Sequence, residues 1–297
     1  MSEGTPTSQG HVATPDGVRL FYREAGQGGV LIIVLHGGPG FTLDYLADDL
    51  MPLARRQRVL FFDQRGTGRS SLVTGAAALH ADRFVDDIEA IRRHLAVPWV
   101  ALLGHSWGAG LAALYAMTHV DRVERMILVG SIPLRHAELV RTFEQIDGQR
   151  PAEERERLRA ARDRWLAEVG SAAACRDFYA LWFRPFLKVA GVALTADFCA
   201  GSADALRNKV ENVDRHTLAS LGNYDWRVGL GRVAAPTLVV HGSGDVISIA
   251  NAREWATALP RARLLLLDGV GHFPYLEAPE RFFPAVDAFL SGPAPGN

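Results

Sequence analysis

The chain has 297 residues, 48% of them hydrophobic, with 32 Lys and Arg against 33 Asp and Glu and a formal net charge of −1. That length and apolar content suffice for a substantial core, as one large α/β domain or two smaller ones. The balanced charge, without a basic patch or aromatic–basic ladder, argues against a nucleic-acid partner, and no apolar run approaches the roughly 20 residues needed to span a bilayer.

Residues 1–10 are polar and small and lack the basic start and apolar core of a secretory leader, so the expected compartment is the cytoplasm. They and residues 292–297 are expected to be disordered. Residues 12–23, around Pro15-Asp16-Gly17, read as a hairpin. Apolar runs near 30–35, 58–62, 99–103, 125–129, 236–241 and 262–267 then read as short, fully buried strands. Helical patterns lie between most of them, and the one over 84–96 puts Phe84, Ile88, Ile91 and Leu95 on one face. Strand alternating with helix predicts an α/β fold with a mostly parallel sheet flanked by helices.

Two glycine-rich loops follow early strands. In His36-Gly37-Gly38-Pro39-Gly40 the missing side chains let backbone N–H groups approach a ligand closely. Gly38 is the candidate donor to an oxyanion there, with Gly37 the alternative. Asp63-Gln64-Arg65-Gly66-Thr67-Gly68-Arg69-Ser70 reads as a buttressing loop, although Arg65 could instead meet a substrate carboxylate.

The most informative stretch is Gly104-His105-Ser106-Trp107-Gly108. A β-prone run precedes it and helix formers follow, and strand, sharp turn and helix are the context of a nucleophile elbow. Ser106 is therefore the candidate nucleophile. The Trp107 N–H, at a helix start, is the candidate partner to Gly38 in an oxyanion hole. The His105 side chain should point away from the nucleophile.

From about 132 to 225 the alternation breaks into helical patterns without a convincing buried strand. This predicts a helical cap (132–225) inserted between a first (1–131) and a second (226–297) part of the core. Residues 151–169, dense in Arg and Glu, read as a solvated helix face. Within Tyr179-Ala180-Leu181-Trp182-Phe183-Arg184-Pro185-Phe186, Trp182 and Phe183 are candidates for an apolar substrate wall, the other role being the cap's own small core. Cys175 and Cys199 are too few for a disulfide framework and have no metal-type neighbours. They read as buried apolar fillers, and no metal site is expected.

A serine needs a base to take its proton, and the base needs an orienting carboxylate. Asp245, in the loop after strand 236–241, and His272, in the loop after strand 262–267, complete the order serine, acid, histidine. Asp268 is the rival acid. His36 and His241, at strand ends, are expected to bond to nearby loop backbone.

The 36–40 loop, the 63–70 loop and the elbow with Trp107 after its serine resemble the α/β-hydrolase superfamily, and within it the proline iminopeptidase group of serine peptidases. The resemblance runs from about Val12 to Leu290. It implies the α/β-hydrolase fold, with Ser106 as nucleophile, Asp245 as acid, His272 as base, and Gly38 with Trp107 as oxyanion donors. Two departures stand out. His105 occupies a position where that group often has glycine. The glutamates with which the group binds a free amino end in the cap have no clear match; Glu211 is the candidate, and its other reading is a solvated helix residue. The expected activity is cofactor-independent serine hydrolysis of a small-molecule or short-peptide substrate, by release of an N-terminal residue. The alternative is an esterase or lactonase on small to medium apolar esters. A non-hydrolytic lyase or a ligand receptor could use the same scaffold.

Overall fold

The computed structural model describes residues 7–194 and 196–292. Its strands are β1 (Thr7–Ala13), β2 (Arg19–Ala25), β3 (Leu31–Leu35), β4 (Arg58–Phe62), β5 (Val100–His105), β6 (Val123–Val129), β7 (Thr237–Gly242) and β8 (Ala262–Leu267). They form one sheet in the order β1-β2-β4-β3-β5-β6-β7-β8. The hairpin β1–β2 joins β4 antiparallel, and every later pairing is parallel. Parallel strands need crossovers, which place helices on the faces and bury both sides of the strands. The central strands β5 and β7 are accordingly buried along their whole length.

Two expectations change here. Thr7–Gly10, expected to be disordered, are strand, because each residue of β1 pairs with β2; residues 1–6 and 293–297 lie outside the described residues. β8, expected to be fully buried, is half exposed, with Leu266 at 38%. It is the last strand in the order, so one edge has no neighbour among the described residues.

The first helices are α1 (Asp44–Leu50), α2 (Ala81–His94) and α3 (Trp107–Thr118). α2 buries Phe84, Ile88 and Ile91 and leaves its charged face outward, as its periodicity requires. α3 is apolar on nearly all sides and correspondingly buried on nearly all sides. Between β6 and β7 the chain is helical: α4 (His136–Gly148), α5 (Ala152–Ala167), α6 (Ala172–Trp182), α7 (Ala203–Asn208), a π-helical turn (Lys209–Val213), α8 (Asp214–Ser220) and α9 (Arg227–Leu230). A lone bridge between Arg135 and Asp225 ties the entry of this segment to its exit. The remaining helices are α10 (Ile249–Ala258), α11 (Pro274–Glu277) and α12 (Pro279–Leu290). None of the helices among the described residues is long and apolar enough to cross a membrane.

Cys175 and Cys199 are both fully buried, but they are not separate fillers. They form a disulfide that ties α6 to the segment preceding α7. Twenty-four residues apart, they carry no spacing signal, and only the folding back of the insert brings their Cα atoms to 5.9 Å. Disulfides persist in oxidising surroundings and are rare in the cytosol. The bridge therefore gives the cytoplasmic expectation no support.

Candidate active site

Ser106 sits between β5 and α3 with φ +57° and ψ −117°, a conformation that side-chain-bearing residues rarely adopt. The flanking glycines are required by contact. A Cβ on Gly104 would lie 2.3 Å from the Gly108 carbonyl oxygen, and one on Gly108 would lie 2.0 Å from that of Leu35. The elbow is thus pressed against the end of β3, where the 36–40 loop begins.

His272 lies in the loop between β8 and α11. Its Nδ1 is 2.8 Å from Asp245 Oδ2, and both side chains are buried. Because Asp245 accepts there, Nδ1–H donates and Nε2 is left for another partner. Asp245 Oδ1 accepts from the Ile247 N–H at 3.0 Å. Burial alone would raise the Asp245 pKa, but His272, His241 and the Ile247 N–H together hold it below the ordinary carboxylate value. Asp268 is placed elsewhere: it is exposed and accepts from the Ser243 hydroxyl at 2.9 Å.

Two neighbouring histidines, His105 and His36, are held neutral. His105 Nε2 donates to the His272 carbonyl at 2.9 Å, and its Nδ1 is 2.9 Å from the Tyr45 hydroxyl. Burial, with the charge of His272 adding, pushes its pKa down to about 3. Tyr45 also accepts from the Gly37 N–H at 2.5 Å, so that donor is already occupied. Gly38 has φ +122°, and a Cβ there would meet the Gly40 nitrogen at 2.7 Å. His36 accepts from the Gln64 N–H at 3.0 Å and bonds the Gly37 carbonyl at 3.0 Å, and burial lowers its pKa to about 4. His241 Nε2 bonds the Ile247 carbonyl at 2.8 Å.

The 63–70 loop supports this floor from below. Gln64 accepts from the Trp107 indole N–H at 3.1 Å and donates to the His36 carbonyl at 2.8 Å. Arg65 is fully buried and forms a bidentate pair with Asp87 at 2.8 and 2.6 Å, and it also reaches Asp16 at 2.9 Å. All of its geometry is committed internally, leaving no free face for a substrate carboxylate.

Ser106, His272 and Gly38 line a cavity of about 350 Å³ whose roof is the helical insert. Trp182 and Phe183 both line it. The aromatic residues also pack on one another and on the core beneath: Phe183 lies 4.4 Å from Phe198, Trp165 stacks on Phe178 at 5.0 Å, and Phe198 stacks on Tyr45 at 4.9 Å. Glu211 does not line the cavity. It is exposed, 3.8 Å from Arg207. On the π-helical turn and the start of α8, Lys209, Val210 and Asp214 face the cavity, and Glu211 falls on another side. A larger cavity, of about 800 Å³, opens between α6 and residues 187–194 and 196–199, and none of the elbow or its partners is among its described lining.

Three features had no sequence signal. Tyr45 links the 36–40 loop to His105. Lys209 and Asp214 lie in a polar stretch that reads as a solvated helix. Glu277 accepts four backbone N–H groups, from Gly271 and Phe273 on either side of His272 and from Lys188 and Val189 in the insert.

Residues 30–279 match the family described as alpha/beta hydrolase fold. The chain is 26% identical over 273 residues to a proline iminopeptidase of Heyndrickxia coagulans, covering 89% of this chain and 91% of that one. It is 31% identical over 275 residues to the proline iminopeptidase PfmaB of Pestalotiopsis fici, covering 88% and 92%. Among solved structures, the proline iminopeptidase of Mycobacterium smegmatis superposes with a TM-score of 0.73 at 26% identity, covering 95% and 97%.

Proposed function

The chain belongs to the α/β-hydrolase fold family, and from that premise we propose that it is a cofactor-independent serine hydrolase working through an acyl-enzyme. The observation that carries the reading is the conjunction in one cavity of a strained Ser106 and a His272 whose Nδ1 is bonded to buried Asp245. Ser106 Oγ attacks the substrate carbonyl while His272 Nε2 takes its proton. The oxyanion that forms is met by the N–H groups of Trp107 and Gly38, a role for Gly38 supported by the engagement of Gly37 with Tyr45. The tetrahedral intermediate collapses, the bond to the leaving group breaks, and the leaving group carries away the proton from His272. Water then attacks the acyl-enzyme, giving its proton to His272, and the acid is released as Ser106 regains its hydrogen.

Release of an N-terminal residue from a small peptide or amide is the reaction that the relatives' names suggest. Cleavage of an apolar ester or lactone is the second reading, favoured by the apolar lining of Phe41, Ile132, Phe143, Trp182 and Phe183. Hydrolysis of proline p-nitroanilide and of p-nitrophenyl butyrate by wild type and variants tests the reading. Ser106→Ala should lower kcat at least about a thousandfold. Asp245→Asn should harm turnover far more than Asp268→Asn. Near-normal turnover in Ser106→Ala would sink the assignment, and the reverse order of the two aspartates would show the wrong acid.

A further inference from the structure

The cavity beside Ser106 has one carboxylate among its described lining residues, and that carboxylate is already paired. Asp214 Oδ1 and Oδ2 lie 3.0 and 2.9 Å from Lys209 Nζ. The Lys209 side chain is only 4% exposed, whereas that of Asp214 is 34% exposed. The ammonium also stands 3.4 Å from the Pro39 carbonyl and 4.5 Å from the centre of the Phe41 ring, so its donors and its charge are used inside the protein. The pair is packed directly on the 36–40 loop: a Cβ on Gly40 would lie 2.2 Å from Asp214 Oδ1 and 3.0 Å from Lys209 Cγ. The other cation of the lining, Arg162, is an exposed residue.

The remaining lining is largely aromatic and aliphatic, and Arg162 is paired outward with Asp163 at 3.4 Å. A substrate ammonium entering such a site would leave water for a medium of low polarity with no unpaired carboxylate to receive it, which is costly. An uncharged acyl chain would lose nothing of that kind and would gain from burial.

Resting on the serine-hydrolase reading above, we infer that the Lys209–Asp214 pair is a specificity determinant that closes this site to acyl groups bearing a free amine and directs it to uncharged, apolar ones. Lys209 acts by neutralising Asp214. Of the two reactions named above, the pair thus selects the second: the substrate class is an apolar acyl ester, lactone or blocked amide, and release of an N-terminal residue with a free amine is disfavoured.

Binding and turnover are measured separately at pH 8, so that a failure of this inference and a failure of the hydrolase reading look different. Hexanamide and 6-aminohexanamide are titrated against intrinsic tryptophan fluorescence, to which the cavity-lining Trp165 and Trp182 contribute, and the p-nitrophenyl esters of hexanoate and 6-aminohexanoate are used for kcat/KM. Wild type should prefer the uncharged member of each pair by at least about a hundredfold, the scale on which an unpaired polar group is rejected. Lys209→Met frees the Asp214 carboxylate and should shift the preference towards the amine by at least about tenfold. Lys209→Met with Asp214→Asn removes both charges and should return the preference to the wild-type side, and it also provides a folded variant if the single one is unstable. Equal or better binding of the amine by wild type, or an unchanged preference in Lys209→Met, would overturn the inference. Loss of serine dependence in ester hydrolysis, with the binding preference intact, would instead count against the hydrolase reading.

Discussion

Glu277 holds the His272 loop from behind. Its Oε1 accepts from Gly271 and Phe273 at 3.1 and 3.3 Å, and its Oε2 from Lys188 and Val189 at 2.7 and 3.1 Å. The His272 N–H meanwhile donates to the Phe186 carbonyl at 2.8 Å. One buried carboxylate thus fixes the loop on both sides of His272 and joins it to the insert. Charge-assisted bonds of this kind are among the stronger ones, and leaving buried N–H groups unpaired costs about 1–3 kcal/mol each. Glu277→Ala should accordingly destabilise the fold by about 3–5 kcal/mol, read from urea denaturation. It should also lower kcat, because the imidazole loses its fixed aim. A change below about 1 kcal/mol would mean that water replaces the carboxylate freely.

At the scale of elements, Trp165, Tyr179, Phe183, Phe186 and Phe198 of the insert between β6 and β7 pack together and run on into the core on one face of the sheet, and the Cys175–Cys199 bridge ties two segments of the insert. A bridge closing a loop of this length contributes roughly 3 kcal/mol by restricting the unfolded chain. Replacing both cysteines by serine should lower thermal stability by that amount, and a reductant should lower wild type to the same level. No response to reductant would show the thiols to be unbridged. This element also marks the limit of what the sequence discloses. The strands and the elbow were legible because local pattern determines them: apolar runs set β3 to β7, and Gly104 and Gly108 are demanded by backbone contacts immediately around Ser106. The pairing of Asp245 with His272 agrees with the order of the motifs along the chain. The cysteine bridge, the Lys209–Asp214 pair and the role of Glu277 depend on how loops far apart in sequence come together, and no local spacing encodes that. Glu211, the candidate amine-binding residue of the sequence, lies outside the cavity, because one turn of helical sequence does not reveal which side of a π-helical turn faces inward.

Across the whole molecule, the floor of the site contains two imidazoles that are neutral in the folded state. Burial depresses His36 to about 4 and His105 to about 3, against an ordinary value near 6.5. In the unfolded chain both would take up a proton as pH falls below about 6.5, while in the folded protein they would not. The unfolded state then binds more protons, so stability rises with pH through this window and is lost as pH falls from about 6.5, until the folded groups also protonate near 4 and 3. Each histidine contributes a slope approaching about 1.4 kcal/mol per pH unit. Asp87 runs the other way: burial pushes it up to about 6, so it binds a proton more readily when folded and offsets one of the two imidazoles. Of these three groups the two imidazoles outweigh Asp87 and weaken the fold from pH 6.5 towards pH 4, while Asp49, Asp63 and Asp214, which burial also raises, act in the same sense as Asp87. His105→Gln isolates one contribution, because whatever the variant does to absolute stability, it removes one titrating group. Urea midpoints measured at half-unit steps from pH 7 to pH 4.5 should show a slope shallower than that of wild type by about 1 kcal/mol per pH unit. An identical slope would mean that His105 is protonated in the folded protein. The hydrogen bond between Tyr45 and His105 Nδ1 could not then run from the hydroxyl to the imidazole, because a protonated ring donates from both nitrogens, while the bond from Nε2 to the His272 carbonyl would be kept.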